Sequence, residues 1–142
     1  MLLQSKYQVH VSLSNTRWKH IRDHHINASL KSTKGVFYEH VDVMELLQAA
    51  LQGGEYLAGK DEQQFFLDWH APFAIGEQYV PTHGKLKHKI CHKIRVVIGV
   101  AFEQPCVVTC FPRACPVPEC ETACVSVTHA QVTPVEQTVL GL

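Results

Sequence analysis

Apolar and polar residues change rhythm along this chain, and the change divides it. Tyr7-Gln8-Val9-His10-Val11-Ser12-Leu13 alternates with a period of two, which predicts a short strand. Ser14-Asn15-Thr16 supplies N-cap candidates for a short helix over Trp18-Lys19-His20-Ile21-Arg22-Asp23-His24-His25. Ser29 to Gly35 is polar and basic and reads as a loop. Val41 to Leu51 carries apolar residues at helical spacing and is closed by Gly53-Gly54, the clearest helix in the chain. Period two then returns. Gln64–Trp69 and Ile75–Val80 read as strands, with Pro81-Thr82-His83-Gly84 as a turn. Lys93–Val100 is a strong strand and Cys106–Phe111 another, with Glu103-Gln104-Pro105 as the hairpin loop between them. Helices followed by a meander predict an α+β fold, with N-terminal helices on an antiparallel sheet of four to five strands.

After Pro112 no period is sustained. Residues 113–142 hold Pro116, Pro118 and Pro134 together with Cys115, Cys120 and Cys124. The expected organisation is one domain over 1–112 and a Cys/Pro-rich tail over 113–142, either a loose extension or an interaction segment. At 142 residues, 46% apolar and 18% charged, the chain has room for one hydrophobic core. No apolar run approaches the roughly 20 residues that span a bilayer, so no membrane insertion is expected. Met1-Leu2-Leu3-Gln4-Ser5-Lys6 lacks the apolar stretch of a signal peptide. The expected location is the cytoplasm, which a chain delivered into a target cell would share. Of the six cysteines none forms a CxxC pair, so reduced thiols are expected rather than a zinc knuckle or a disulfide framework.

Formal charge is zero, but it is unevenly distributed. Residues 1–40 carry six Lys/Arg against two acids, and residues 41–79 one against seven. Residues 80–95 carry five and no acid, and residues 96–142 one against four. Two basic segments flank an acidic one, and if the fold joined them their local field would attract phosphate despite the zero net charge.

Trp18-x-His20-Ile21-x-x-His24-His25 gathers three imidazoles within six residues. Imidazole can act as base and as acid near neutral pH. Cleavage of RNA by its own 2′-OH needs both, plus cations or N–H/O–H donors for the phosphorane charge. It needs no metal, because the nucleophile is tethered beside the phosphate. His20 and His24 stand four apart, a spacing that can hold zinc on a helix, but no Glu follows the first His and the HExxH motif is absent. Idle, exposed histidines are the plain alternative. Arg95 and Thr109 alternate with apolar neighbours on two adjacent predicted strands and can share a polar face, a seat for phosphate or simply the solvated side of a sheet. Lys34 precedes the main helix, and Phe37 can anchor its loop in the core.

Taken in order, Trp-x-His-Ile-x-x-x-His, Lys-x-x-Phe, an amphipathic helix and a final strand reading Val-Val-Thr-x-Phe-Pro resemble the barnase/EndoU/colicin/RelE-like superfamily of ribonucleases. The similarity spans about residues 15–112 and is nearest to small toxin, phage-encoded and contact-dependent-inhibition nuclease domains. The resemblance implies a curved antiparallel sheet packed on N-terminal helices, with RNA bound across it. It implies a metal-independent endoribonuclease without cofactor, cutting tRNA or another RNA to a 2′,3′-cyclic phosphate. It assigns base and acid roles to His20 and His25, and phosphate contacts to Lys34, Arg95 and Thr109. Arg22, Lys31, Lys93 and Trp18 are the further RNA-binding candidates. An immunity protein or antitoxin is the implied partner. Two departures stand out: His24 occupies the place of an Arg, and Gly35 that of a small polar residue. The competing expectations are a catalytically inactive RNA-binding domain of the same fold and a small His/Cys zinc-binding module.

Overall fold

The computed structural model describes residues 2–4, 10–100 and 104–114. Strands β1 (Leu2–Gln4) and β2 (His10–Ser12) form an antiparallel pair. Helix α1 (Asn15–Ile21) follows, capped by the Ser14 hydroxyl, which accepts the Arg17 N–H at 3.1 Å. The chain then widens into a π-helical turn, Arg22–Ile26, closed by Asn27 N–H donating to the Arg22 carbonyl at 2.7 Å. After the two-residue strand β3 (Val36–Phe37) comes α2 (Val43–Gly53). Its N-cap is Asp42, whose carboxylate accepts the Glu45 N–H, so the helix starts two residues later than its apolar pattern suggests.

The remaining strands are β4 (Glu55–Ala58), β5 (Gln64–His70), β6 (Gly76–Thr82), β7 (Lys85–Cys91), β8 (Lys93–Gly99) and β9 (Cys106–Arg113). The fold is α+β, with helices against a curled six-stranded sheet of order β1-β2-β9-β8-β5-β4. The strand count and direction differ from expectation. The sheet is mixed, because β2 runs parallel to β9 through Ser12 and Cys106. β3, β6 and β7 form a second, three-stranded sheet. The turn expected at 81–84 tightens to His83-Gly84, both with positive φ, and Pro81 and Thr82 belong to β6. β9 continues through Pro112 to Arg113, past the expected domain boundary; residues 115–142 lie outside the described residues. So do Tyr7–Val9 of the first expected strand and Glu103 of the hairpin loop.

Alternation decides which face each strand buries. Leu67 and Trp69 of β5, Ile94, Val96 and Ile98 of β8, and Val107 and Cys110 of β9 join Leu46, Leu47, Ala50 and Leu51 of α2 in one core. Ile21 of α1 is fully buried in it, with Trp18 packed alongside. A β-bulge at Val108 shifts the β8–β9 register between Val97 and Ile98. Beyond it, Thr109 and Phe111 turn to the opposite face, with Asp68 and Arg95. Among the described residues no helix is long and apolar enough to cross a membrane.

Candidate functional site

Three histidines converge, and backbone geometry brings them together. On a regular α-helix a residue five positions on lies about 140° around the axis, so His25 would point away from His20. The π turn, with its i→i+5 bonding, rotates it back. The ring centroids of His20 and His25 stand 5.9 Å apart in a T-shaped arrangement, those of His24 and His25 6.5 Å, and those of His20 and His24 4.6 Å.

The three imidazoles differ in surroundings. His25 is 4% exposed, and its Nδ1 stands 2.9 Å from the Gly35 carbonyl oxygen. A carbonyl only accepts, so Nδ1 carries the hydrogen and Nε2 is left with the lone pair. Burial lowers the His25 pKa below its ordinary value; the Gly35 bond opposes this, while His20, His24 and Lys34 add to it. His20 is exposed to solvent. Its pKa is lowered by the part of the ring that is covered, then by His24, Arg17 and Lys34. Lys34 is therefore close enough to act on both rings. It projects from a loop shaped by the Ser32 hydroxyl accepting its N–H at 3.1 Å.

Gly35 makes this loop possible. Its φ is +86°, and a Cβ there would stand 2.3 Å from the Pro112 carbonyl oxygen. Only glycine lets the loop press onto β9 and present its carbonyl to His25. Glycine at this position thus has a local steric reason.

Phe111 of β9 carries the site across the sheet. Its ring lies 5.6 Å from that of His25. Across the strand pair it is the register partner of Arg95, whose own neighbour on β5 is Asp68. Arg95 donates through Nε and Nη2 to the two Asp68 oxygens, each at 2.8 Å, and its guanidinium lies 4.7 Å from the Phe66 ring centre. Lys93 Nζ reaches Asp68 at 3.3 Å. Burial alone would raise the Asp68 carboxyl, but the bonds and charge of Arg95 and Lys93 outweigh it and hold it below the usual carboxylate range. Two cations share one carboxylate, so the cluster keeps a net positive charge.

Arg95 and Thr109 share a face, as their alternation suggests, at diagonal positions in register. That face is not a polar one, since Phe66, Val97 and Phe111 lie on it too. Arg95 is bound to Asp68, and the Thr109 hydroxyl is buried without a hydrogen-bond partner. Lys93 is similarly engaged with Asp68. Arg22 and Lys31 are exposed near the histidines in the chain, whereas Trp18 is half-buried against the core. Phe37 is buried and anchors the loop.

Sequence reasoning missed Asp68 and Phe111 and set His24 aside. Asp68 is a lone acid in an apolar strand, Phe65-Phe66-Leu67-Asp68-Trp69, and that position was the available signal. Buried His70 and His92 nitrogens also lack partners. Among the described residues, no three His, Cys, Asp or Glu side chains are placed to hold a metal ion. No protein-family model, curated protein or solved structure matches this chain.

Proposed function

We propose that the protein is an endoribonuclease whose chemistry is carried by imidazoles rather than by a metal. The observation that supports this reading is the His20–His25 pair: two rings 5.9 Å apart, one with its tautomer fixed by Gly35, with the Lys34 charge lowering the pKa of both. A base and an acid acting on one phosphodiester must both reach it. The three rings stand at contact range of one another, so the phosphodiester would lie along the solvent-facing rim of the cluster, reached by nitrogens of two rings, rather than between them.

One imidazole takes the 2′-OH proton as O2′ bonds to phosphorus. The P–O5′ bond breaks, and a second imidazole, as imidazolium, protonates the leaving oxygen. The products are a 2′,3′-cyclic phosphate and a 5′-hydroxyl. Lys34 and the net positive Arg95–Lys93–Asp68 cluster stabilise the phosphorane charge. In its toxin-like form this reading takes tRNA as substrate and an immunity protein or antitoxin as partner.

Labelled total tRNA incubated in EDTA tests it. Cleavage by the wild type that vanishes in His20→Ala is expected; no cleavage by the wild type refutes it. The second reading, a catalytically silent RNA-binding domain, is favoured by the near-complete burial of His25, and it predicts that the uncut RNA remains bound.

A further inference from the structure

A second charged feature lies outside the histidine cluster. On the three-stranded sheet, Gln78, Val80 and Thr82 of β6 pair with Lys89, Lys87 and Lys85 of β7 and share one face. Between this face and the end of β9 runs a groove of about 450 Å³, lined by Thr33, Gln78, Thr82, Lys87, Lys89 and Arg113 among others. Three of these are cations, and no described lining residue is a carboxylate. The groove is held in shape by Gln78, which donates from Nε2 to the Thr33 carbonyl and accepts the Ala114 N–H at Oε1, each at 2.9 Å. Tyr79 N–H donates to the Ser32 carbonyl at 2.9 Å, laying the 32–34 loop along β6.

That loop is shared. Thr33 lines the groove, the next residue is Lys34, and the one after is Gly35, which holds His25. The loop of the first basic stretch thus runs beside the sheet that carries the second, with Thr33 rather than one of its own cations lining the groove.

We propose that Lys87, Lys89 and Arg113 form a subsite for the phosphate backbone of a single RNA strand, entered from the histidine cluster through Lys34 and Thr33. This rests on the endoribonuclease reading and adds to it the path of the substrate. A space this small takes one strand and not a duplex, and a basic groove that follows the backbone is how single strands are bound without sequence preference.

The test uses a fluorescent 2′-O-methyl RNA of about ten nucleotides, which binds but cannot be cut. Anisotropy titrations at several salt concentrations give Kd and its salt slope. Lys87→Gln/Lys89→Gln is expected to weaken binding on the order of tenfold and to flatten the slope by about 1.4, two phosphate contacts' worth. Lys60→Gln, on the far loop, is expected to change neither. If the double variant loses its fold, the wild type answers instead: bound RNA is expected to protect Lys87 and Lys89 from acetylation, read by mass spectrometry.

Unchanged Kd and slope, or unprotected lysines, overturn the groove. They do so even if tRNA is still cut, in which case the nuclease reading stands alone. Groove-dependent binding with no tRNA cleavage upholds the subsite and sinks the nuclease reading. A double variant that loses affinity for anionic vesicles or an acidic protein, but not for RNA, also overturns the proposal.

Discussion

Replacing Gly35 by alanine should damage fold and site together, and the structure sets the size of the effect. The new Cβ would stand 2.3 Å from the Pro112 carbonyl oxygen, a backbone atom with no rotamer to retreat into. The loop must move by roughly 1 Å to reach ordinary contact. Holding alanine at φ +86° costs a further 1–2 kcal/mol or so. The displaced carbonyl would also release His25 Nδ1, a buried hydrogen bond worth about 1 kcal/mol. The total is about 3 kcal/mol, or a fall in Tm of roughly 10–20 °C for a domain of this size.

Gly84→Ala is the control. Its φ is +79°, but a Cβ there meets nothing within 4 Å, so it bears the strain alone, about 1 kcal/mol. Thermal unfolding of both variants, with the His25 titration followed by NMR, separates the contributions. Gly35→Ala should lower the His25 pKa further, because the bond that raises it is gone. Equal Tm losses in the two variants, or an unshifted His25 in Gly35→Ala, would refute the steric argument.

Four further outcomes are expected. His20, His25, His70 and His92 all titrate below their ordinary 6.5, so the unfolded chain binds protons first; stability is complete above that pH and is lost as pH falls below it, which urea midpoints at a series of pH values will show. The same depression of His20 and His25 places the optimum of kcat/KM for RNA cleavage on the acid side of 6.5, where one imidazolium becomes abundant; an optimum above 7.5 or so contradicts the assigned roles. Asp68→Asn leaves Arg95 and Lys93 without their counter-charge in a nearly buried setting and should cost about 3 kcal/mol in chemical denaturation, with part of the loss absent when Arg95→Gln is added. Thr109→Val removes a buried hydroxyl that has no partner and should stabilise by about 1 kcal/mol; if that hydroxyl serves the phosphate, RNA cleavage falls in the same variant.

What could be read from the sequence follows physical lines. Helix α2 announced itself because its apolar stripe is buried, and β5, β8 and β9 because their alternation matches a core face. β7 went unread although Lys85, Lys87 and Lys89 alternate with Leu86, His88 and Ile90, because most of it is exposed and neither set marks an interior. β3 is two residues long, below any periodicity. The parallel β2–β9 contact and the Asp68–Arg95 pair join distant positions, which no local pattern encodes. At the candidate site the histidines were visible as a run of letters. That His25 returns to His20 through a widened turn, and is nearly buried when it arrives, depends on backbone bonding and on the Gly35 loop.

The π turn bears on how the site tolerates changes of length. A π turn differs from an α turn by one inserted residue, so deleting the codon for Asp23, the one residue between Arg22 and Ile26 that is not a histidine, restores α-helical spacing. Such a deletion would leave every histidine in the chain and set the present His20 and His25 four residues apart, the spacing that keeps two side chains on one face of an α-helix. Substitution scanning would never expose this dependence, because no single side chain carries it. The alignment of the imidazoles is a matter of spacing set against helical pitch: five residues through a π turn, or four through an α turn, bring the second ring back to the first, whereas five through a regular α-helix do not.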